Sequence, residues 1–429
     1  MTKTRIQSAE TAPDSSPTDG PLSKSPSRWR VTFAALKYPN YRLWFWGQMV
    51  SLFGTWMQTT AQGFLVYELT HSPKYLGYVG FASGIPTWFL TLYGGVVADR
   101  LPRRTLIIVT QSCMMTLALI LAALTFIHAV QAWHILLLAC FLGIANSFDA
   151  PARQAFVGEM VGRKEMTNAI ALNSTMFQSA TIVGPAAAGV AYAMFGPGWC
   201  FTINGVSFIA VIMALRAMKL ESGPRTAGTA SALAEVKEGL RYVVAQPVIR
   251  ILIGMVAATS MFALSIVTLI PAWSVNILGG GASTNGFLLS ARGAGSLAGA
   301  LIIASLGSRI ARGRLLTIGS IVFPLLLFAF AFARFLPLSL MLLAGVGVGT
   351  ILVNNLANAM VQTATPDRLR GRVMGAYTWI FFGFMPLGAL WSGTVAEHLS
   401  EPAAIVINAL LALGVAVAIW FAFPRIREQ

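Results

Sequence analysis

The hydrophobic and polar positions of this chain fall into long blocks. Stretches without Asp, Glu, Lys or Arg run for about 20 residues or more, the length a helix needs to cross a bilayer core of about 30 Å. Overlong stretches carry internal turn signals, such as Phe195-Gly-Pro-Gly-Trp199 and Gly279-Gly-Gly281, which divide each of them into two helices. The pattern predicts an all-α membrane protein with twelve transmembrane helices.

One long internal loop separates the first six predicted helices from the last six. Its first part predicts a linker, whereas Leu233, Val236, Leu240 and Val243 recur at helical spacing and predict a short amphipathic helix at the membrane surface. The polar N-terminal segment, rich in Ser, Pro and Thr, predicts disorder. The predicted organisation is a disordered tail (1–40), a six-helix bundle (41–218), the linker with its helix (219–247), a second six-helix bundle (248–424) and a short tail (425–429).

The two bundles carry signs of an internal repeat. Residues 98–106 follow the second predicted helix and residues 307–315 follow the eighth. An ungapped alignment places Arg100 opposite Arg309 and Arg103 opposite Arg312. Parallel six-helix repeats with a substrate site between them at mid-membrane are a known transporter architecture. We therefore expect two pseudo-symmetric six-helix bundles.

The basic residues lie almost entirely on one side of this topology. Of 30 Lys and Arg, only Lys74 and Arg334 fall in odd-numbered loops, and only Arg292 falls within a predicted helix. Because Lys and Arg near helix ends are retained on the cytoplasmic side, both termini should be cytosolic. The net charge of +15 then indicates contact with cytosol and anionic lipid headgroups, and no nucleic-acid partner is expected.

The composition argues against a soluble fold, an enzyme and a metal or cofactor site. The chain is 56% hydrophobic and 10% charged, against about 25% charged residues in soluble domains, so a soluble fold is not expected. Its three cysteines and four histidines show no metal-ligand spacing, and the sequence has no Walker loop. We therefore expect neither an enzyme, nor a metal site, nor a bound cofactor.

Residues 95–104, Gly-Val-Val-Ala-Asp-Arg-Leu-Pro-Arg-Arg, resemble the cytoplasmic signature of the major facilitator superfamily. Gly95 permits close helix packing, and Asp99 can pair with a cation or with the N-terminus of a helix in the other bundle. Such contacts form only when the cytosolic side is closed, so Asp99, Arg100, Arg103 and Arg104 are candidate latch residues. The alternative is an ordinary basic loop that only sets orientation.

A second charged motif, residues 146–154, ends the fourth predicted helix. Asp149 and Arg153 are four residues apart and share a helix face unless Pro151, between them, kinks or ends the helix. The resemblance to the superfamily implies an ion pair of Asp149 with Arg103 or Arg104. The alternative is a pair that only stabilises the helix end.

Gly184-Pro185 and Gly189 in the fifth predicted helix resemble the exporter signature of the superfamily. The proline kinks a helix and the glycines allow another to approach, although a generic packing face is the alternative. Residues 148–157 and 366–375, the latter with Arg372 as a further gating candidate, narrow the resemblance to the transmembrane secretion effector branch. That branch includes the bacterial enterobactin exporter.

The resemblance implies the major facilitator fold and secondary active export of a small amphipathic molecule, a siderophore or a drug-like compound, by alternating access. It also implies a bacterial inner-membrane location, the proton gradient as energy source and a monomer. Two alternatives stay open. One is a lysolipid or lipid transporter, and the other is a non-transporting membrane component of a secretion system.

Arg292 is the one basic residue within a predicted helix, about a third of the way in from the outer face. A charge at this depth costs on the order of a few kcal/mol unless it faces a cavity or a partner. Its side chain either snorkels to the outer interface or faces the interior. There it would bind an anionic or carbonyl-bearing substrate, or pair with a counter-ion such as Glu68.

Other polar residues within the predicted helices are candidates for a substrate cavity, because polar groups in a membrane protein face its interior or water. Each alone is equally well explained by hydrogen bonds between helices. The cavity candidates are Gln58, Gln62, Asn146, Asn173, Gln178, Arg292, Asn354, Asn355, Asn358 and, as an aromatic wall, Trp379. The candidates for proton coupling are Glu68, Asp149 and Glu397.

Overall fold

The structure is a computed structural model that describes residues 33–162, 164–219, 232–306 and 311–422. Every regular element in these ranges is helical. The first six long helices are α1 (Pro39–Thr70), α2 (Pro73–Arg100), α3 (Arg103–Phe126), α4 (Ala132–Met160), α5 (Met166–Phe195) and α6 (Pro197–Ala217). A shorter helix, α7 (Ala232–Ala245), precedes α8 (Pro247–Asn276), α9 (Ala282–Leu306), α10 (Arg312–Phe330), α11 (Leu336–Ala364), α12 (Asp367–His398) and α13 (Glu401–Ala422).

Ten of the twelve long helices combine the length and the hydropathy expected of a membrane span. The other two are α1 and α5, whose apolar length is interrupted by polar side chains such as Gln58 and Gln62 in α1 and Asn173 and Gln178 in α5. Both pack inside the bundle with their neighbours. The prediction of an all-α membrane protein with twelve transmembrane helices is confirmed.

The long helices form two bundles with the same internal packing. In the first bundle, α1 packs against α5 and α6, α2 against α4, and α3 against α4 and α6. In the second, α8 packs against α12 and α13, α9 against α11, and α10 against α11 and α13. The two patterns coincide when α1–α6 are matched in order to α8–α13, so the bundles are pseudo-symmetric.

Part of the segment predicted as a disordered tail is ordered. Residues 1–32 lie outside the described residues, but Ala34–Lys37 form a 3-10 turn and α1 begins at Pro39. Ala35 is fully buried, and its N–H donates to Asn168 Oδ1 at 2.9 Å near the start of α5. For residues 33–40 the expectation of disorder fails, because an apolar turn covers the ends of α1 and α5.

Prolines act differently in two helices. Pro151 does not end α4, which continues for nine further residues to Met160. In α8, regular α-helix stops at Ala258 and gives way to a π turn and then a 3-10 turn that ends at Leu269. Pro271 has no N–H to donate to the carbonyl one turn earlier, which accounts for the irregular bonding just before it. The sequence pattern did not predict this interruption.

Helix α7 packs against the second bundle, whereas the sequence pattern placed it on the membrane surface. Val243 is 4% exposed and belongs to the apolar core of the second bundle, which Leu240 also contacts. A Cβ built on Gly239 would lie 2.3 Å from the carbonyl oxygen of Arg372 in α12, so the two backbones are in contact. The side chains of two further predicted apolar positions, 233 and 236, and the repeat segment 307–310 lie outside the described residues.

Candidate transport pathway

The two bundles meet through two pairs of helices, α2 with α12 and α5 with α9. One membrane face carries Arg103, Arg314 and Arg370 and is called the basic face below. The face that carries Lys74 and Arg334 is called the opposite face. The conformation is defined by whether the two bundles touch near the basic face or near the opposite face.

A stripe of small residues on α2 contacts α12 in the half nearer the opposite face. A Cβ built on Gly77 would lie 2.7 Å from the Ala389 carbonyl oxygen, and one built on Gly84 would lie 2.6 Å from Pro386. Such distances leave no room for a side chain at either glycine, so α2 and α12 are in close contact here. The bundles are therefore tightly joined at the opposite face.

The same stripe is open at its other end. Gly95 on α2 and Gly375 on α12 continue the two contact lines at helical spacing, yet no atom lies within 4 Å of a Cβ built on either. Between the closed and the open parts, Trp88 and Trp379 face each other with ring centroids 5.3 Å apart. They line an apolar cavity of about 290 Å³. The bundles are thus separated at the basic face, and the close packing expected at Gly95 is absent in this conformation.

The residues of the expected exporter motif hold α5 between α1 and α9. A Cβ built on Gly184 would lie 2.5 Å from Trp56 Cβ in α1, and one built on Gly189 would lie 2.7 Å from the Ala282 carbonyl oxygen in α9. Pro185 is buried between these two glycines. The motif therefore forms part of the second contact between the bundles.

Acidic side chains lie at the closed opposite face. Ser72 Oγ and the Lys74 backbone N–H donate to Glu397 Oε2 at 2.7 and 3.3 Å, which ties the start of α2 to the end of α12. Asn276 Nδ2 donates to Glu401 Oε1 at 2.6 Å, and Glu401 is buried. Sequence reasoning missed this second acid because it precedes a span and looks like a loop residue.

The candidate latch residues make no contact with the second bundle among the residues that the structure describes. The Asp99 side chain is 62% exposed and pairs with Arg103 of its own bundle at 3.1 Å. Arg103 also pairs with Glu159 at 3.0 Å, and Arg104 donates to the Arg216 carbonyl at 2.9 Å. All these contacts lie within the first bundle, as expected when the basic face is open.

The remaining gating candidates also lie at the basic face. Arg100 is exposed at the last position of α2. Arg372 pairs with Glu238 of α7 at 2.5 Å, so its partner belongs to the second bundle. These two arginines are placed where closure of the basic face would bring the bundles together.

The expected ion pair of Asp149 with Arg103 or Arg104 is not formed. The acid on α4 that Arg103 contacts is Glu159. Asp149 precedes Glu159 by ten residues, which is about 15 Å along a helix. It therefore lies in the membrane interior, out of reach of arginines at the helix end.

Asp149 is instead the centre of a buried polar network. It is 0% exposed and pairs with Arg153 one turn further along α4 at 2.6 Å. Thr110 Oγ1 and Gln111 Nε2 of α3 donate to its Oδ1 at 2.8 and 3.1 Å, and Arg153 donates to Gln48 Oε1 at 3.2 Å. Sequence reasoning missed these three partners, although each is a polar residue in an otherwise apolar helix.

Within the first bundle, a second group of hydrogen-bonded polar residues adjoins this network. Asn204 Nδ2 of α6 donates to Gln58 Oε1 of α1 at 2.7 Å, and both residues are buried. Together with Asn146 they line a cavity of about 50 Å³ that extends to Asp149 and Arg153. This volume suits one or two water molecules and is too small for a drug-sized ligand.

The other predicted cavity residues are placed unevenly. Asn173 Oδ1 accepts from Tyr41 Oη at 3.1 Å near the basic end of α5, which is a contact between helices and not a mid-membrane position. Asn354 Nδ2 donates to a carbonyl of its own helix, and its Oδ1 is buried without a partner among the described residues. The remaining candidates range from buried to exposed: Gln62 (buried), Gln178 and Asn358 (partly exposed) and Asn355 (exposed).

Arg292 lies on the buried side of α9. It is about 140° around the helix from Phe287 and about 180° from Leu301, which are 43% and 61% exposed and face the membrane. Its Nε is buried, and no ion pair or hydrogen bond joins its guanidinium to another described residue. The suggested counter-ion, Glu68, instead accepts from Tyr192 Oη. Arg292 therefore faces the interior as an unpaired cation, and neither the snorkelling alternative nor the pair with Glu68 is observed.

Comparison with known proteins identifies the family. Residues 30–429 match the family described as transmembrane secretion effector. The chain is similar to the multidrug efflux pump Tap of Mycolicibacterium fortuitum, with 28% identity over 386 residues that cover 87% of this chain and 93% of that protein. It is also similar to the enterobactin exporter EntS of Escherichia coli O1:K1 / APEC, with 25% identity over 357 residues that cover 82% and 84% of the two chains.

Solved structures agree on the fold. A bacterial homolog to the human lysosomal transporter Spinster, in an inward-facing and occupied conformation, has a TM-score of 0.71 over 91% of this chain and 98% of that chain, at 14% identity. The family and these relatives are transporters and not enzymes. The chain belongs to the transmembrane secretion effector family, a branch of the major facilitator superfamily.

Proposed function

We propose that this chain is a secondary active exporter that moves a small amphipathic molecule, siderophore-like or drug-like, out of a bacterial cell by alternating access. The observation that carries the proposal is the pair of contact lines on α2 and α12, closed near Gly77 and open near Gly95. Two pseudo-symmetric bundles that are joined at one face and separated at the other support this mechanism. Export is supported by the functions of the two relatives, a multidrug efflux pump and an enterobactin exporter, and by the motif at Gly184.

We place the basic face, with both chain termini, in the cytosol of the bacterial inner membrane because Lys and Arg near helix ends are retained there. The anionic lipid headgroups of that leaflet are then the lipid partners of the basic residues. In this orientation the described conformation faces the cytosol, and it is the state that loads substrate for export. No cofactor is required, since the proton gradient supplies the energy, and one chain carries a complete pathway as a monomer.

For proton coupling, Asp149 is better placed than Glu68 or Glu397. It is buried beside the small polar cavity of the first bundle, while the other two are exposed at the opposite face. Protonation of Asp149 removes the charge that holds Arg153, whose guanidinium already shares a hydrogen bond with Gln48 of α1. Loss of the pair therefore changes the contact between α4 and α1, which links protonation to helix packing.

Cross-linking tests the alternating access. In a background without the three native cysteines, Gly95→Cys with Gly375→Cys should cross-link poorly in the resting protein and efficiently during turnover. The matched pair Lys74→Cys with Glu397→Cys should show the reverse order, because these residues already touch. Two pairs that rise and fall together, or neither of which changes during turnover, would exclude the mechanism.

A second experiment tests the coupling. Asp149→Asn should abolish the gradient-driven movement of a fluorescent dansyl probe in proteoliposomes while exchange of the probe down its own gradient continues. Glu68→Gln and Glu397→Gln are the matched controls, since each neutralises an acid that we place outside the coupling site. Gradient-driven transport that survives in Asp149→Asn and stops in either control would assign coupling to the opposite face.

A lysolipid transporter is a second candidate, favoured by the apolar cavity between α2 and α12. Phe382 lines this cavity and is 46% exposed, and the neighbouring Phe89 and Tyr93 of α2 are 64% and 63% exposed. This arrangement resembles a lateral opening toward the bilayer. Transport of a fluorescent lysophosphatidylcholine in proteoliposomes, in preference to a water-soluble dansyl probe, would support this candidate over the first.

A further inference from the structure

Arg292 of the second bundle is a cation without a counter-charge among the residues that the structure describes. We propose that Arg292 is the anion-recognition point of the transport pathway, so that the transported molecule carries a carboxylate or a comparable acidic group. This inference rests on the proposed function, because it names the substrate class of the same pathway.

Two arginines lie well inside the long helices, and their surroundings differ. Arg153 faces Asp149 at 2.6 Å and also donates to Gln48. Around Arg292, among the described residues, no carboxylate lies within ion-pair distance, and its buried Nε has no acceptor. Charges inside proteins are normally paired, so a guanidinium with a buried, unbonded Nε and no carboxylate within ion-pair distance indicates an acceptor that comes from outside the chain.

The backbone at Arg292 is fixed on two sides. A Cβ built on Gly293 would lie 2.6 Å from the Thr181 carbonyl oxygen in α5, and one built on Gly347 in α11 would lie 2.2 Å from the carbonyl oxygen of Arg292 itself. Helix α9 is thus wedged between α5 and α11, and its third side faces the membrane. The Arg292 side chain lies on the remaining side of α9, away from the membrane-facing Phe287 and Leu301, and we infer that this side faces the space between the bundles.

A second polar side chain on the same buried side also has no partner. Asn285 is 0% exposed, and neither its Oδ1 nor its Nδ2 has a hydrogen-bond partner among the described residues. It precedes Arg292 by seven residues, which is two helical turns or about 10 Å. An amphipathic acid with a second hydrogen-bonding group at that distance would satisfy both side chains once the opposite face opens, because Asn285 is fully buried in the described conformation.

The chemistry favours an anion over a neutral carbonyl or a cation. A guanidinium presents donors in a planar fork that matches a carboxylate, and a carboxylate also compensates the charge. A neutral carbonyl accepts a hydrogen bond but leaves the charge uncompensated. A cationic substrate would be repelled in a site where water screens poorly.

The test uses two dansyl probes that differ in one charge, dansylglycine and its neutral amide, titrated by fluorescence into the full chain in nanodiscs. We expect the acid to bind at least about tenfold tighter than the amide, the range of one charge-assisted hydrogen bond. Arg292→Gln should bring this ratio near one, and Arg292→Lys should give an intermediate ratio. Arg314→Gln, which removes the same charge from the exposed start of α10, should keep the wild-type ratio.

Two results would overturn the proposal. One is a wild-type chain that binds the acid no tighter than the amide, or does not bind it at millimolar concentration. The other is a lower unfolding temperature of Arg292→Met without any probe, since that would mean that protein groups satisfy the guanidinium. An equal or higher unfolding temperature supports it. The proposed function is tested separately by the cross-linking pairs. It fails if the two pairs do not alternate, and that result does not depend on the charge of the probe.

Discussion

Replacement of Asp99 with Asn tests whether residues 95–104 control which face is open. In the described conformation Asp99 is 62% exposed and pairs with Arg103 four residues away. An exposed pair at this spacing contributes about 0.3–0.5 kcal/mol. The substitution should therefore change the free energy of the conformation open at the basic face only slightly.

The substitution should destabilise the conformation closed at the basic face by a larger free energy. If the contact line on α2 closes one turn beyond Gly95, Asp99 comes against the first turn of α12, which begins at Asp367. A carboxylate that accepts from N–H groups at a helix N-terminus gains about 1.5–3 kcal/mol. The difference between the two conformations is about 1–2.5 kcal/mol, equal to a roughly 5- to 70-fold shift toward the open basic face.

The assay is the modification of Gly375→Cys by a membrane-impermeant maleimide, in a chain without the native cysteines, during turnover when both conformations are populated. Asp99→Asn should raise the modified fraction and slow transport at equal protein level. Glu165→Gln is the control, since it removes an acid from the same face that bonds Lys37 and Tyr38 instead. Equal modification and equal transport in wild type and Asp99→Asn would refute the latch.

Three further predictions concern packing and pH. Gly239→Val should lower the unfolding temperature, by overpacking of about 1–3 kcal/mol, because its Cβ would meet an α12 carbonyl oxygen at 2.3 Å; Gly254→Val, with no atom within 4 Å, should not. Gly77→Val should loosen the opposite face and increase its labelling by an impermeant reagent, because its Cβ would lie 2.7 Å from another α12 carbonyl oxygen. Hydrogen bonds from Lys37 and Tyr38 lower the pKa of Glu165. These two bonds hold residues 33–38 in place. Their stabilisation is fully present above the ordinary carboxyl pKa and is lost as the pH falls through the lowered pKa. Amide exchange of residues 34–37, corrected for intrinsic rates, should therefore be fast in Glu165→Gln at neutral pH and in wild type only at strongly acidic pH; equal protection in both proteins at neutral pH would contradict this.

The helices could be predicted from the sequence because the hydrocarbon core imposes their length. Their ends could not be placed as well, since the helices continue beyond the apolar stretch: α1 begins at Pro39, four residues before Leu43, where the first stretch without charged residues begins. A usable signal was present, because a proline stands at the first position of four helices. These prolines are Pro39, Pro73, Pro197 and Pro247.

The polar network around Asp149 could be predicted only in part. The spacing of Asp149 and Arg153 predicts a shared face, and the structure pairs them. Which face of α3 meets α4 depends on the packing of two helices, so Thr110 and Gln111 could not be identified as partners from spacing alone. The resemblance to the superfamily implied Arg103 or Arg104 instead, but the structure pairs Arg103 with Glu159, about 15 Å further along α4.

The conformation itself could not be predicted, and the reason bears on the mechanism. Gly77, Gly84 and Gly95 lie on one line of α2, so the sequence makes both ends of the line equally able to touch α12. Selection between the ends is then left to a few polar contacts, such as that of Glu397 at the opposite face and the one that we propose for Asp99 when the basic face closes. Each contributes about 1–3 kcal/mol when formed, whereas inversion of a 99:1 population needs about 5.5 kcal/mol. Neither contact alone can hold one conformation exclusively, so in the mechanism that we propose a bound substrate and one proton supply the remaining difference and reverse the balance.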